Sequence, residues 1–245
     1  MKITLDIQRF NPEIDKEPRR ESFEVTVEPT DRVLDALIHI SRYEDGSLAY
    51  RKSCAHGICG SDAMRINGKE GLACKTLIQD ITEIDGDVIT LDPLKHMAMQ
   101  KDLMVDQRTF LAKFRAVKPH LMPKEKAPSS GEFLQSAERR ELIDDATKCI
   151  NCAACYSACP VLDDNPDFIG PAALVAAARF IFDSRDEGLA SRMGIVDQPN
   201  ALWACDNHFE CTRVCPRGIK ITKLINLTKK AVKEIREVKQ SDENS

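Results

Sequence analysis

Ten cysteines fall in three groups along the chain, and their spacing constrains the fold more than any other feature. The middle group, CINCAACYSACP, has the spacing C-x2-C-x2-C-x3-C followed by proline. That spacing is found where one run of cysteines shares two iron–sulfur clusters with a second run. Cysteines grouped in this way, in a chain that opens without a secretion signal, indicate metal sites rather than disulfides.

A second run, ACDNHFECTRVCPRG, repeats the spacing with one substitution. Cys205, His208, Cys211 and Cys215 occupy its four positions, and Pro216 follows. When two runs share two clusters, the fourth cysteine of each run binds the other cluster. One cluster then has four thiolates, and the predicted [4Fe-4S] ligands are Cys149, Cys152, Cys155 and Cys215.

The other cluster keeps Cys159, Cys205 and Cys211, and has His208 where a fourth cysteine would stand. Three thiolates hold three irons, so this set predicts a [3Fe-4S] cluster. Two alternatives use the same residues. The imidazole of His208 can bind a fourth iron, and paired C-x2-C motifs also make four-cysteine zinc sites. Overlapping runs that both end in Cys-Pro favour iron–sulfur clusters over zinc.

The remaining cysteines lie in SCAHGICGSDAMRINGKEGLAC. Cys54, Cys59, Asp62 and Cys74 have the plant-type [2Fe-2S] spacing, with aspartate in the third position. A carboxylate is a hard oxygen donor that binds ferric iron, so Asp62 is predicted to be a ligand. In the alternative interpretation Asp62 caps the loop, and a water or Ser61 completes the site.

Hydrophobic periodicity predicts strands around the first cysteine group and helices around the other two. The predicted elements are strands at 2–10, 22–28, 64–66 and 87–91, a helix from Val33, a helix over 103–117, a surface connection over 118–132, and helices beyond it. Gly57 and Gly60 let the first cysteine loop turn tightly, with backbone amides directed at sulfur.

These patterns predict an α+β protein with two domains. Residues 1–105 are expected to form a β-grasp, plant-type [2Fe-2S] ferredoxin domain. Residues 106–245 are expected to form an all-helical domain, similar to bacterial ferredoxins, that holds the other two clusters.

Composition excludes several classes of function. The formal net charge is -4 and aromatic residues make up 5% of the chain, which argues against nucleic-acid binding. The longest apolar run, PAALVAAARFIFD, is interrupted by Arg179 and is shorter than the roughly 18 residues typical of a membrane span. The N-terminus opens in a strand pattern rather than a signal or transit segment, so we expect synthesis in a bacterial or archaeal cytoplasm.

A β-grasp [2Fe-2S] domain followed by a helical domain with [4Fe-4S] and [3Fe-4S] ligands resembles the iron–sulfur subunit of succinate:quinone oxidoreductases, the succinate dehydrogenase and fumarate reductase family. The resemblance covers nearly the whole chain. It is carried by SCAHGICGSDAMRINGKEGLAC, KCINCAACYSACP, NPDFIGPAAL, RFIFDSRD and CTRVCPRGI. Aspartate at the third [2Fe-2S] position occurs in some succinate dehydrogenases, which supports Asp62 as a ligand.

The resemblance implies an electron-transfer subunit of succinate dehydrogenase, respiratory complex II, with no dicarboxylate chemistry of its own. In that family single electrons pass from the FAD of a flavoprotein subunit through the three clusters to a quinone at a membrane-anchor subunit of cytochrome b type. The implied location is peripheral, on the cytoplasmic side of the cell membrane, held by the anchor.

Three alternatives share these features. A fumarate reductase uses the same kind of subunit in the opposite direction. A free multi-cluster ferredoxin would have no fixed partners. A related iron–sulfur subunit could serve another flavin-dependent complex, such as a heterodisulfide reductase-like or glycolate oxidase-like one.

The quinone end departs from the family pattern. Well-known members have a tryptophan between the CP and NP motifs and a histidine after the first cysteine of the last run, whereas this chain has VLDD and Asp206. Pro160 matches the family. The quinone contacts are therefore expected to differ, with Pro160, Trp203, Asp206 and His208 as candidates. Alternatively, Trp203 and His208 only cover the cluster.

Overall fold

The computed structural model describes residues 1–123, 128–129 and 131–243, without the side chains of 239, 240, 242 and 243. Residues 124–127 and 130 of the predicted connection lie outside the described residues. Within the described ranges the strands are β1 Lys2–Arg9, β2 Arg19–Thr26, β3 Ala63–Ile66, β4 Lys69–Leu72, β5 Val88–Asp92, β6 Met99–Lys101 and β7 Met104–Val105. The helices are α1 Val33–Tyr43, α2 Arg108–Ala116, α3 Ala137–Thr147, α4 Ala154–Ser157, α5 Val161–Asp164, α6 Pro171–Ile181, α7 Leu189–Val196, α8 Glu210–Arg213 and α9 Ile221–Glu243.

Five strands form one sheet in the order β2-β1-β5-β3-β4. β1 is antiparallel to β2 and parallel to β5, and β3 is antiparallel to both β4 and β5. Alternation along β1 puts Ile3, Leu5 and Ile7 on the buried face. Leu34 and Leu37 of α1 belong to the same hydrophobic core. The predicted strands and the helix from Val33 are confirmed.

The helix predicted over 103–117 begins only at Arg108. The preceding residues form the β6–β7 hairpin instead. Its turn contains Asp102, at φ +46° and 1% exposed, whose carboxylate accepts hydrogen bonds from the amides of Phe10 and Ala49. These long-range bonds stabilise the hairpin over the helix that local periodicity favours.

The chain divides into two compact units. The first contains 1–109, 150–158 and 214–216, and the second contains 110–149, 159–213 and 217–245. All of the strands lie in the first unit, and the described residues of the second contain helices without a strand. The predicted α+β class is confirmed.

Helix α6 is the centre of the second unit, where it packs against α3, α7 and α9. It begins at Pro171, in the first-turn position where proline is tolerated, as predicted. Its residues from Pro171 to Ala178 are all buried, and most of them are alanines.

A buried carboxylate follows α6. The side chain of Asp183 has no exposed surface and accepts hydrogen bonds from Gln135 and Arg185, and it forms an ion pair with Arg179. Hydrogen bonds from Arg185, with that from Arg179, lower the pKa of Asp183 to about 2. The ionised carboxylate therefore stabilises this end of the helix.

Among the residues that the structure describes, no helix has the length and apolar character needed to cross a membrane.

Candidate metal centres

The first cysteine loop, residues 54–62, directs its backbone amides at one sulfur. The amide of Cys59 donates to Cys54 Sγ at 3.3 Å. Hydrogen bonds from the amides of His56, Ile58 and Cys59 lower the pKa of the Cys54 thiol to about 6. This loop therefore favours the thiolate, which is the form of cysteine that binds metal.

Two glycines give the loop its shape. Gly57 has φ +77° and Gly60 has φ +68°, a region that residues with a Cβ rarely adopt. A Cβ on Gly60 would lie 2.7 Å from the Cβ of Cys152 and 3.0 Å from its Cα, all within the first unit. Glycine at 60 is therefore required both by the backbone conformation and by the close approach of the middle cysteine run.

Asp62 and Cys74 lie together in a buried position. Asp62 is 2% exposed, and its Oδ2 accepts a hydrogen bond from the amide of Cys74 at 2.5 Å. Burial, together with the neighbouring Asp62, raises the pKa of the Cys74 thiol to about 12. Two anions at this spot repel each other, and a bound cation would let both ionise, so the donor set fits an iron site.

Both interpretations of Asp62 have a contact that supports them. The hydrogen bond from the Cys74 amide is the contact expected of a cap, and Ser61 Oγ lies 3.1 Å from Cys59 Sγ. The buried carboxylate beside Cys74 is the position expected of a ligand. The role of Asp62 in binding iron stays a prediction.

The residues predicted to bind the [4Fe-4S] cluster belong to different units. Cys152, Cys155 and Cys215 are in the first unit and Cys149 is in the second. Cys152 and Cys155 are buried, whereas Cys149 and Cys215 are half-buried. The run turns sharply at Ala153, which has φ +64°. Left-handed backbone at a residue with a Cβ costs about 1–2 kcal/mol and persists where the surrounding structure determines it.

Cys159, Cys205 and Cys211 line one pocket of the second unit. They come from three separate segments: the residue before Pro160, the stretch before α8, and α8 itself. Burial raises the pKa of the Cys159 thiol to about 11, and the neighbouring Cys211 and Cys205 raise it further. Burial likewise raises the pKa of the Cys211 thiol. Three thiolates here repel one another, and an iron core would offset that repulsion, so this set also fits the group predicted for it.

Two side chains near this pocket are absent from the sequence-based predictions. Thr222 Oγ1 lies 3.6 Å from Cys211 Sγ. Lys229 Nζ donates to the backbone oxygen of Cys205 at 2.7 Å. Both side chains lie on α9 and reach cysteines far away in sequence, so the spacing of the cysteine run contains no signal for them.

A second pocket brings the quinone candidates together. It is lined by residues that include Pro160, Trp203, Asp206 and His208. Asp206 and His208 are exposed. The indole N–H of Trp203 donates to Asp197 Oδ1 at 2.7 Å, and the guanidinium of Arg236 lies 5.1 Å from the ring centre. Trp203 therefore lines this pocket with its indole N–H already bonded.

All ten cysteines are described, and none of them forms a disulfide in this structure. Across the described ranges, no group of three or more His, Cys, Asp and Glu side chains is arranged to hold a metal ion. The ligand assignments rest on the cysteine spacing and on the local contacts above.

Two family models match the chain. A 2Fe-2S iron-sulfur cluster binding domain matches residues 4–112, and a 4Fe-4S dicluster domain matches residues 145–219. The order of the two domains agrees with the predicted layout, and both matches support iron–sulfur clusters over zinc.

Relatives match over most of the chain. The fumarate reductase iron-sulfur subunit of Mycobacterium tuberculosis is 39% identical over 219 residues, 89% of this chain and 87% of that protein. The succinate dehydrogenase iron-sulfur subunit of Coxiella burnetii is 40% identical over 225 residues, 91% of this chain and 94% of that protein. A solved structure described as the Mycobacterium smegmatis Sdh1 complex in the apo form has a TM-score of 0.79 at 25% identity, covering 96% of this chain and 97% of that one.

Identity at this level over nine-tenths of the chain, together with matches to a [2Fe-2S] and a dicluster domain in the predicted order, identifies the family. The chain belongs to the electron-transferring iron–sulfur subunits of the succinate dehydrogenase and fumarate reductase family.

Proposed function

We propose that this chain carries single electrons from the FAD of a flavoprotein subunit to a quinone at a membrane-anchor subunit of a succinate dehydrogenase. When bound, a [2Fe-2S], a [4Fe-4S] and a [3Fe-4S] cluster would supply the one-electron chemistry. The observation that carries the proposal is the convergence of Cys159, Cys205 and Cys211 on one pocket, with His208 also lining it. Three thiolates and no fourth cysteine fit a three-iron cluster at the end of the relay.

Each cluster is assigned the ligand set that spacing predicts. The [2Fe-2S] set is Cys54, Cys59, Asp62 and Cys74; the [4Fe-4S] set is Cys149, Cys152, Cys155 and Cys215; the [3Fe-4S] set is Cys159, Cys205 and Cys211. In the first set the loop amides stabilise the thiolate of Cys54, and Asp62 supplies a hard oxygen donor.

We assign the domain boundary to residues 105 and 106, which is supported by the end of β7 at Val105. The sheet order β2-β1-β5-β3-β4, with α1 after the first hairpin, supports a β-grasp fold for the N-terminal domain. The all-helical character of the described part of the second unit supports the bacterial-ferredoxin-like assignment.

The pocket containing Pro160, Trp203, Asp206 and His208 is the proposed quinone contact. Quinone reduction takes up two protons, and this pocket offers two exposed groups that can carry them, the carboxylate oxygens of Asp206 and the ring nitrogens of His208. The ring of Trp203 supplies an apolar wall. We infer a peripheral location on the cytoplasmic side of the membrane, with the anchor subunit covering this pocket.

The exposed first cysteine loop is the proposed flavoprotein contact. Ile58 is 51% exposed beside the exposed Cys59, so an apolar side chain and a predicted ligand share one surface. A partner that covers Ile58 would bring its own cofactor close to this loop.

Fumarate reduction is the second candidate direction. The 39% identity to the fumarate reductase subunit of Mycobacterium tuberculosis supports it about as well as the 40% identity to the succinate dehydrogenase subunit supports succinate oxidation. The two directions are separated by comparing succinate:quinone and quinol:fumarate rates of the purified complex.

Low-temperature electron paramagnetic resonance (EPR) of the anaerobically purified complex tests the cluster assignment. An oxidised [3Fe-4S] cluster is paramagnetic, whereas oxidised [2Fe-2S] and [4Fe-4S] clusters are silent. We expect a strong signal before reduction in the wild type and in His208→Ala. His208→Cys restores the full cysteine run, so we expect it to lose that signal and gain a [4Fe-4S] signal after dithionite. Silence in the oxidised wild type, with two interacting [4Fe-4S] signals after dithionite, would mean that His208 binds a fourth iron.

A further inference from the structure

Two threonines form a short hydrogen-bonded chain that ends at the sulfur of Cys211. Thr222, the second residue of α9, is 2% exposed, and its Oγ1 lies 3.6 Å from Cys211 Sγ. Thr212 follows Cys211 in α8, and its Oγ1 lies 3.0 Å from Thr222 Oγ1. Thr212 Oγ1 also accepts a hydrogen bond from the amide of Thr222 at 3.0 Å.

The direction of each hydrogen bond follows from the protons available. A hydroxyl has one proton to donate, and a cysteine sulfur that binds iron has none. Between Cys211 and Thr222, therefore, only the threonine hydroxyl can donate. Thr222 Oγ1 then accepts from the hydroxyl of Thr212, which itself accepts from the Thr222 amide. Hydrogen bonds that follow one another in a chain, as these do, strengthen one another.

Burial makes this hydrogen bond hard to replace. Cys211 is 8% exposed and Thr222 is 2% exposed, so water has little access to the sulfur if the hydroxyl is removed. Hydrogen bonds to cluster sulfurs are among the features that set reduction potential, because they stabilise the negative charge that an added electron brings.

We propose that Thr222 raises the reduction potential of the [3Fe-4S] cluster by donating a hydrogen bond to the Cys211 thiolate, and that Thr212 holds the Thr222 hydroxyl in that orientation. The inference rests on the proposed assignment of Cys211 to the [3Fe-4S] set. Thr222 is a positioning residue for electron transfer. It makes the last cluster a better electron acceptor and touches neither substrate nor quinone.

The test is a redox titration of the oxidised [3Fe-4S] EPR signal in the purified complex. Thr222→Val removes the hydroxyl with little change of volume, and Thr222→Ser keeps it. Thr228→Val is the matched control, because Thr228 is a buried threonine of the same helix whose hydroxyl donates to the Leu224 backbone oxygen at 2.9 Å rather than to sulfur.

We expect Thr222→Val to lower the equilibrium constant for reduction about tenfold, which is 59 mV for one electron. Thr222→Ser and Thr228→Val should keep the wild-type value. Thr212→Val should shift the potential in the same direction by less, since it removes the donor to Thr222. The [2Fe-2S] potential should not change in any variant.

A second readout detects the proton itself. After exchange into deuterated water, electron–nuclear double resonance should show an exchangeable proton coupled to the oxidised cluster in wild type and Thr222→Ser, and its loss in Thr222→Val. This readout needs only enough cluster for a spectrum. If Thr222→Val assembles poorly, the Thr212→Val titration tests the same chain of hydrogen bonds.

Two results distinguish a failure of the Thr222 inference from a failure of the [3Fe-4S] assignment. An intact signal with unchanged potential in both Thr222→Val and Thr212→Val overturns the inference and leaves the ligand assignment standing. Absence of any oxidised signal in the wild-type complex overturns the [3Fe-4S] assignment and, with it, the role of Thr222.

Discussion

The first cysteine loop directs its own backbone amides at the sulfur of Cys54, whereas the third site, formed by Cys159, Cys205 and Cys211, places a side-chain hydroxyl from another element, α9, beside the sulfur of Cys211. In the loop at 54–62, three amides within five residues favour the thiolate of Cys54, and Cys59 is exposed. In the third site, Cys159 and Cys211 are buried, and the hydroxyl beside Cys211 comes from α9.

This contrast indicates which changes each site should tolerate. The loop depends on its backbone conformation, so a change in φ should damage it more than the loss of a surface side chain. The third site depends on the packing of α6, α8 and α9. The loss of one buried polar group should therefore change the hydrogen bonding of its cysteine sulfurs and, with it, the reduction potential.

The largest expected effect tests the backbone dependence of the first loop. Gly60→Ala forces a Cβ into the left-handed region and against Cys152 at 2.7 Å, while Gly68→Ala meets the same φ constraint with no heavy atom within 4 Å. We expect Gly68→Ala to cost about 1–2 kcal/mol of unfolding free energy. We expect Gly60→Ala to cost at least about 3 kcal/mol and to lose the [2Fe-2S] signal.

Thermal unfolding by circular dichroism, with iron and sulfide analysis, measures both variants. Equal effects of Gly60→Ala and Gly68→Ala would mean that the close approach to Cys152 contributes nothing.

The next largest effect is expected from the buried ion pairs of Asp183, which contribute to the stability of the second unit. The pKa of Asp183 is lowered to about 2 by its arginine partners, so Asp183→Asn should reduce the free energy of unfolding by about 2 kcal/mol at pH 7. A lowered pKa contributes stability above the unfolded-state value near 4 and loses it as the carboxyl protonates. The difference between variant and wild type should therefore shrink as pH falls from about 4 towards 2.

Urea unfolding of wild type and variant at matched pH gives this difference, since effects common to both cancel. The exposed Asp167→Asn serves as the control. A difference that does not change between pH 7 and pH 3 would mean that Asp183 acts through packing rather than through charge.

The two sites also differ in how far the sequence predicts them. The spacing of Cys54, Cys59 and Asp62 describes one local loop, and the glycines at 57 and 60 predict its tight turns, which φ values of +77° and +68° confirm. Local periodicity also predicts β1 and α1, because each buries one regular face.

The contacts of Thr222 with Cys211 and of Lys229 with Cys205 join residues 11 and 24 positions apart. Contacts at that separation depend on how α9 packs, which no local pattern determines. The same limit explains why the helix predicted over 103–117 begins only at Arg108, because Asp102 bonds to residues far away in sequence.

A smaller effect is expected from the charge of Lys229, which contacts the backbone of the third site. The ammonium of Lys229 donates to the Cys205 carbonyl at 2.7 Å, whereas the neighbouring Lys230 is 76% exposed and pairs with Glu234. Removing a half-buried cation disfavours an added electron, so Lys229→Met should lower the equilibrium constant for [3Fe-4S] reduction about threefold. Lys230→Met should leave it unchanged, because solvent and salt screen an exposed charge. The oxidised EPR signal reports both variants, and equal shifts would indicate a long-range field rather than a contact.

The smallest effect compares the two hydroxyl–sulfur contacts directly. Ser61 Oγ lies 3.1 Å from Cys59 Sγ, closer than Thr222 Oγ1 lies to Cys211 Sγ at 3.6 Å. If distance alone decided, Ser61→Ala would shift the [2Fe-2S] potential more than Thr222→Val shifts that of the third cluster. Cys59 is exposed, however, so water can donate to its sulfur once the serine hydroxyl is gone.

We therefore expect Ser61→Ala to change the [2Fe-2S] reduction equilibrium of the separated subunit by less than about twofold, against about tenfold for Thr222→Val. Titration of the dithionite-reduced [2Fe-2S] signal in the separated subunit measures the shift. Because a flavoprotein partner that covers Ile58 would also exclude water from Cys59, the same titration on the purified complex is the matched comparison. A tenfold shift that occurs only in the complex would mean that the partner, rather than the fold of this chain, buries the first site. A tenfold shift in both forms would contradict the contrast between the exposed Cys59 and the buried Cys211, since exposure would then not decide the strength of a hydrogen bond to sulfur.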